Sequence, residues 1–288
     1  MKTELTTTLL TRFDRLAGRR STWETHWQEV ADYMLPRKAD IVRRRSRGDK
    51  RMERIFDSSP LQALELLASS LHGMMTNPAT PWFTLRFKKL EDSNDDEAKL
   101  WLEEATEVMY TAFNRSNFQQ EIFELYHDLI TFGTAAMFVE EDEQDLIKFS
   151  TRHIDEVYVA ENQKGRIDTI FRRFHMTARA LVQKFGDNVS QDIRTMSQKN
   201  PYQEVDIIHA VYPRNEFNPK KKDKANMPFE SVYFEYKGGN ELSLSGFKEF
   251  PFVVPRYLKA SNEVYGRSPA MTALPDVKML NEMCKVTI

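Results

Sequence analysis

Apolar residues recur with two different periods along this chain, and the change falls near residue 133. Before it the spacing is helical. Leu9, Leu10, Phe13, Leu16 and Ala17 form a first stripe that Gly18 is expected to end, and Ser21 with Glu24 reads as a capping box opening a second helix with Trp23, Trp27, Val30, Ala31 and Met34, closed by Pro36. Asp57 or Ser58 is placed to cap a third helix bearing Leu61, Leu64, Leu67, Leu71 and Met74, which stops before Asn77-Pro78. Trp82-Phe83-Thr84-Leu85 reads as a short strand. Leu100, Trp101, Ala105, Val108, Met109 and Ala112 mark the next helix, and Ser116 with Gln119 caps another whose Phe118, Ile122, Leu125, Tyr126 and Leu129 stripe ends at Gly133.

Beyond Gly133 the period falls to two. Residues 134–140, 146–151, 156–160, 167–174, 205–212, 231–237 and 242–247 read as strands. Short links such as Gln163-Lys164-Gly165 and Gly238-Gly239-Asn240 imply antiparallel pairing. Helices are expected over 178–185 and, more weakly, 188–197. Ser268-Pro269 starts a final helix in which Pro275 should kink or restart the pattern, with Asp276 as a new cap and Leu280, Met283 and Val286 along its stripe. The expectation is an α+β fold: N-terminal helices over 1–133, mostly antiparallel strands with short helices over 134–265, and a long helix over 266–288.

Composition narrows the function classes. At 41% hydrophobic and 29% charged residues the chain is globular rather than disordered, and no apolar run of the ~18 residues needed to span a membrane is present. The single cysteine, Cys284, excludes an internal disulfide and sits where a buried structural thiol is expected. A formal charge of −2 argues against a surface built to grip nucleic acid throughout. Charge is local instead. Between Pro36 and Arg54, Arg37, Lys38, Arg43, Arg44, Arg45, Arg47, Lys50, Arg51 and Arg54 face only Asp40, Asp49 and Glu53, a run suited to a solvated arm, a neighbouring subunit or DNA. Lys220, Lys221, Lys222 and Lys224 form a second basic loop, read as an exposed tip with phosphate contact as the alternative.

Catalytic and cofactor patterns are missing from the sequence. No glycine precedes lysine, so there is no P-loop, and no histidine precedes glutamate, so there is no H-E-x-x-H zinc helix. Asp92, Asn94, Asp96 and Glu103 fit positions of a calcium loop, yet Glu97 stands where that loop needs glycine. Glu140, Glu141, Asp142, Glu143 and Asp145 would suit a magnesium-dependent nuclease only if their carboxylates converged, and on a turn they diverge. No catalytic residue, metal site or cofactor is assigned.

Specific words carry more. Ser116-Asn117-Phe118, Tyr126-His127-Asp128-Leu129-Ile130-Thr131-Phe132-Gly133-Thr134-Ala135, Tyr158-Val159-Ala160-Glu161-Asn162 with Gly165-Arg166-Ile167-Asp168-Thr169, Arg172-Arg173-Phe174 and His209-Ala210-Val211-Tyr212-Pro213-Arg214 occur in order. They are followed by Val254-Pro255-Arg256-Tyr257, Val264-Tyr265-Gly266-Arg267-Ser268-Pro269-Ala270-Met271 and Leu274-Pro275-Asp276-Val277-Lys278-Met279-Leu280-Asn281-Glu282-Met283. This series resembles the head-to-tail connector, or portal, proteins of short-tailed bacteriophages.

The resemblance implies a non-enzymatic subunit of a homo-oligomeric ring of about twelve copies, joined by a heterologous interface, at one capsid vertex. Double-stranded DNA passes through such a ring, and the major capsid, scaffolding, terminase and tail adaptor proteins are its implied partners, with assembly in the host cytoplasm and no membrane. Residues 1–133 and 134–265 would then be the helical and β-rich parts of the wing, and 266–288 the start of the stem. The family's members are longer and the sequence closes inside a helical pattern, so clip and crown are expected to lie outside these residues. Arg43, Arg44, Arg45, Arg47, Lys50 and Arg51 become candidates for a subunit or DNA contact, with the acidic stretches 91–97 and 140–145 as opposing faces. The alternatives that remain are a metal-dependent nuclease and a basic-arm nucleic-acid-binding packaging adaptor.

Overall fold

The computed structural model describes residues 3–43, 45, 48–88, 96–218, 220–221 and 223–287. Its helices are α1 (Glu4–Met34), α2 (Ser59–Met75), α3 (Asp96–Arg115), α4 (Phe118–Phe132), α5 (Ala178–Phe185), α6 (Gln191–Lys199) and α7 (Pro269–Thr287). Its strands are β1 (Ala136–Asp142), β2 (Leu146–Arg152), β3 (Val157–Glu161), β4 (Ile167–Thr177), β5 (Glu204–Pro213), β6 (Phe229–Glu235), β7 (Glu241–Phe247) and β8 (Phe252–Val253). The class is α+β, and every strand pairing is antiparallel. The chain divides into two compact units, Met1–His26 with Asp155–Pro251 and Trp27–Ile154 with Phe252–Ile288.

In the first unit a five-stranded sheet runs in the order β3-β4-β5-β6-β7. Neighbouring residues on a strand point to opposite faces, and here both faces are covered. Phe171, Ile208, Val232 and Phe234 pack with Leu9 and Phe13 of α1, whereas Phe174, Ile207 and Leu242 pack with Ala178 and Leu181 of α5 and Ile193 of α6. Burial on both sides explains the nearly continuous apolar run Ile207-Ile208-His209-Ala210-Val211 in β5. The N-terminal half of α1 is anchored by Arg20, only 1% exposed. Its guanidinium donates to the Val157 (2.6 Å) and Asp155 (2.8 Å) carbonyls, pairs with Glu24 and lies 3.6 Å over the Tyr158 ring.

Two helices were expected over residues 9–34, and one is found. Gly18 meets nothing within 4 Å, and Ser21 does not cap: its hydroxyl donates to the Gly18 carbonyl at 3.0 Å inside the helix. A mid-helix glycine costs only about 1 kcal/mol, less than the packing of Leu9 and Phe13 and the anchoring of Arg20 supply. Thr177, by contrast, caps α5 as an Ncap residue should, accepting from the Ala180 N–H at 3.3 Å.

In the second unit α4 is the central element, burying Phe118, Leu125, Tyr126, Ile130 and Phe132. Trp27 is fully buried, its Nε1 donating to the Phe132 carbonyl at 3.0 Å and its ring edge-on to Tyr265. A three-stranded sheet, β2-β1-β8, includes the two-residue β8 that periodicity alone did not disclose. Gly133 ends α4 with φ +74°, and a Cβ there would stand 2.3 Å from the Gly266 carbonyl oxygen. The crossing is tied by the Tyr257 N–H to the Gly133 carbonyl (2.9 Å), the Gly266 N–H to Thr134 Oγ1 (2.7 Å) and Ser268 Oγ to the Thr131 carbonyl (2.8 Å).

Several expectations for this unit are corrected. Trp82–Leu85 is extended but pairs with no strand. The Trp82 and Phe83 amides donate to the Tyr110 hydroxyl (2.5 and 2.6 Å) and the Leu85 amide donates to Thr106 Oγ1 (3.2 Å), so the segment docks on α3. That docking turns α3. Leu102, Thr106, Tyr110 and Phe113 lie toward the extended segment, while Leu100, Trp101 and Val108, apolar residues that marked this helix in the sequence, are exposed. Of the α2 stripe only Leu64 is buried, joined by Ala68, and Met74 is exposed. Pro275 neither ends nor restarts α7, which continues without a new cap at Asp276; Ser268 caps it by accepting from the Met271 N–H at 3.0 Å. Near its end Asn281 is the buried residue, accepting from the Phe56 N–H (2.7 Å) and donating to the Arg54 carbonyl (2.9 Å), so Leu280, Met283 and Val286 face outward. Cys284 is half-buried rather than enclosed.

Candidate subunit and nucleic-acid interfaces

The basic segment after α1 is pinned by Gln28. Its Oε1 accepts from the amides of Ile41 (3.1 Å), Val42 (2.8 Å) and Arg43 (3.2 Å), while Nε2 donates to the Ala39 carbonyl (2.6 Å) and Asp32 Oδ1 (3.0 Å). One buried amide thus replaces the regular hydrogen bonds that residues 39–43 lack.

Most cations of the segment have partners inside the unit. Arg37 forms a two-pronged pair with Glu124 (2.8 and 2.7 Å), Lys38 reaches Asp128 at 2.6 Å, Arg45 reaches Asp32 at 3.2 Å, and Arg51 pairs with Asp40. Arg43 and Lys50 are exposed and have no carboxylate partner among the described residues. Arg44 and Arg47 lie outside the described residues. Arg43, Lys50 and Arg54 open on one groove of about 550 Å³ with Arg45, Arg51, Asp32, Asp49 and Glu53. Cations outnumber carboxylates there five to three.

Sequence reasoning named the arginines and missed what holds them. Gln28 and Asp32 flank the Trp27–Ala31 stripe at i, i+4 spacing, the one sign available in the sequence that this side of α1 carries a polar contact. Asp128, 1% exposed, is the most enclosed acid of the network. Burial raises its pKa despite the Lys38 ammonium, and the neighbouring Glu124 carboxylate adds to the rise. Glu124, more open and held by Arg37 and Lys38, moves the other way: desolvation opposes ionisation, and the two cations outweigh it.

The acidic stretch 140–145 is the β1–β2 hairpin tip. Asp142 Oδ2 accepts from the Gln144 and Asp145 amides at 3.0 Å each, which holds this carboxyl below its usual range. Glu141, Glu143 and Asp145 are exposed. Of the other acidic face, residues 91–95 lie outside the described residues, and Asp96 and Glu97 form the first turn of α3. Asp92 and Asn94 of the calcium template fall in the former group. Among the described residues no group of three or more His, Cys, Asp or Glu side chains is placed to hold a metal ion. His127 is buried against Glu65 (2.8 Å) and the Phe123 carbonyl, and His209 stacks on Tyr233 and bonds Ser231, both packing roles.

The lysine loop lies in the first unit. Lys220, Lys221 and Lys224 are exposed without carboxylate partners among the described residues; Lys222 lies outside them. Asn218 Oδ1 accepts from the Lys220 amide (3.1 Å) and Asn226 donates to Asp223 (2.7 Å), which fix the backbone and leave the ammonium groups in solvent. No helix of the described residues is long and apolar enough to cross a membrane.

The family described as bacteriophage head to tail connecting protein matches residues 6–287. The chain belongs to that family. It is 36% identical over 278 residues to the "Probable portal protein" of Bordetella phage BPP-1 and 37% identical over 278 residues to the "Portal protein" of Salmonella phage epsilon15. Each alignment covers 94% of this chain and 50% of the relative, so the chain spans about half the length of the curated relatives it matches. Within the family match, Phe132-Gly133-Thr134 and Gly266-Arg267-Ser268, two of the words that carried the resemblance, are the segments that cross at the Gly133–Gly266 contact.

Proposed function

We propose that this chain is the wing and the beginning of the stem of a phage portal subunit: a structural, non-catalytic component of the ring at the capsid vertex through which double-stranded DNA is packaged and ejected. The observation that carries the reading is the family match along residues 6–287 together with portal relatives aligned over 94% of the chain. On this reading residues 1–133 and 134–265 belong to the wing and 266–288 to the stem. The partners are further copies of the chain, about twelve to a closed ring, with capsid, scaffolding, terminase and tail adaptor proteins around it.

Charge fits a conduit. Each phosphate neutralised by a fixed cation adds affinity and releases counterions, and a wall that DNA must slide past works better with few such contacts. The net −2 and the internal pairing of Arg37, Lys38, Arg45 and Arg51 both keep the number of free cations small. The same pairing weighs against a basic-arm adaptor, and the diverging hairpin carboxylates against a nuclease. Image averages of the assembled protein viewed down the ring axis test the reading. Closed rings with a central channel are expected; particles that stay monomeric under assembly conditions overturn it.

A further inference from the structure

The outward face of α3 is the least expected surface of the second unit. Glu97, Leu100, Trp101, Glu104 and Val108 recur at i, i+3, i+4, i+7 and i+11, the spacing of a single helical stripe, and all five are exposed, Trp101 at 62% and Val108 at 68%. An indole left this open beside two aliphatic side chains is the residue pattern of an interface anchor, because tryptophan supplies large contact area at little conformational cost. The stripe is flanked by Glu103 and Glu107, so the apolar ridge has an acidic border.

The complementary surface is in the same unit. Arg43, Lys50 and Arg54 open on one groove, Arg54 also reaching Asp32 at 3.9 Å, and Val42, Met52 and Phe56, close to them in sequence, are exposed. The two surfaces are different patches of one chain, opposite in charge and alike in their exposed apolar content. Both are solvent-facing, so neither is the other's partner within a copy.

We infer that the α3 stripe of one copy seats on the Arg43–Lys50–Arg54 groove of the next copy, making a heterologous head-to-tail contact between copies of this chain. Trp101 is the anchor and Glu104 the charge that selects the basic groove. The inference rests on the portal reading and adds to it which two faces meet. A contact between unlike patches leaves one of each open on every pair, and so propagates until a ring closes.

The test uses light-scattering molar mass of the whole chain at rising concentration. Trp101→Ala and, separately, Glu104→Lys are expected to weaken self-association at least about tenfold, with the thermal melt unchanged because both side chains are exposed. The Arg43→Glu, Lys50→Glu double variant is expected to do the same. Mixing Trp101→Ala chains with Arg43→Glu, Lys50→Glu chains leaves one intact contact per pair, so the mixture should stop at heterodimers. Wild-type chains that associate while all three variants associate equally overturn the inference and leave the portal reading standing. Wild-type chains that never associate overturn both. Retained association together with lost DNA retention in the double variant assigns the groove to nucleic acid and also overturns the inference.

Discussion

Gly133 and Gly18 are chemically the same residue in opposite situations, and substituting alanine at each should move stability in opposite directions. At Gly133 the backbone has φ +74°, and the new methyl would lie 2.3 Å from the Gly266 oxygen and 2.7 Å from the Arg267 carbonyl carbon. A left-handed conformation costs an L-residue roughly 1–2 kcal/mol, and forcing a carbon into a packed crossing costs typically about 1–3 kcal/mol. The loss of unfolded-chain freedom returns about 0.4–1 kcal/mol. The net is a destabilisation of about 1–4.5 kcal/mol, which for a unit of this size lowers the melting temperature by roughly 2–15 °C. At Gly18 no atom lies within 4 Å and the backbone is helical, so alanine should stabilise by about 0.5–1 kcal/mol. Gly266→Ala separates the two causes at the crossing. Its Cβ would meet the Gly133 oxygen at 2.3 Å, and φ there is not in the left-handed region, so only the steric cost of about 1–3 kcal/mol remains. Urea unfolding followed by tryptophan fluorescence and by circular dichroism reads all three. If Gly133→Ala falls within about 0.5 kcal/mol of wild type, or if Gly18→Ala and Gly133→Ala change stability with the same sign, the crossing is not the tight contact described here.

Three further outcomes follow from polar side chains that hold backbone or charged groups inside the fold. Arg20→Ala strands the Val157 and Asp155 carbonyls and empties the face of Tyr158, so a loss of about 3–5 kcal/mol is expected in denaturant melts; Arg20→Lys recovers only part of it, since a single ammonium cannot reproduce the forked contact. Asp128 binds its proton more tightly folded than unfolded, so the native state holds the extra proton between the ordinary carboxylate pKa and the raised one. Its contribution is therefore full below the ordinary value and is lost as pH rises through the raised one, and Asp128→Asn should flatten that part of the stability-versus-pH curve. Thr177→Ala should cost about 1 kcal/mol, measured as earlier exchange of the α5 amides, because the Ala180 N–H loses its acceptor.

The α+β order and most strand and helix positions were legible because period and punctuation agree there. Gly133 does end α4, Thr177 does open α5, and the alternation of Ile207 and Ile208 does place them on opposite faces. What failed was local punctuation overruled by tertiary contacts. Gly18 and Ser21 look like a helix boundary until Arg20, between them, is seen buried against β3, a contact 137 residues away in sequence. Trp82–Leu85 has strand residues, but its amides find Tyr110 and Thr106 rather than another strand. At the candidate interface the cations could be named from charge alone. Which of them are free could not, since Asp32, Asp40, Glu124 and Asp128 lie scattered through the sequence and only the fold brings them to Arg45, Arg51, Arg37 and Lys38.

The direction in which an apolar stripe points was the least legible feature, and in α3 and α7 its physical origin is the same. A backbone segment that joins no helix or sheet needs other partners for its amides and carbonyls where it packs against the protein. In α3 the residues that do this are Thr106 and Tyr110, and in α7 it is Asn281, which serves Arg54 and Phe56. Leaving those backbone groups without partners would cost about 1–3 kcal/mol each, comparable to burying one aliphatic side chain at about 1.5–3 kcal/mol. Polar satisfaction therefore competes on equal terms with apolar burial in choosing the inward face. Once Thr106 and Asn281 are inside, helix geometry carries Trp101 and Val108, and Leu280 and Met283, to the outside. A monomer would gain by replacing these with charged residues; a subunit that assembles through such faces gains by keeping them.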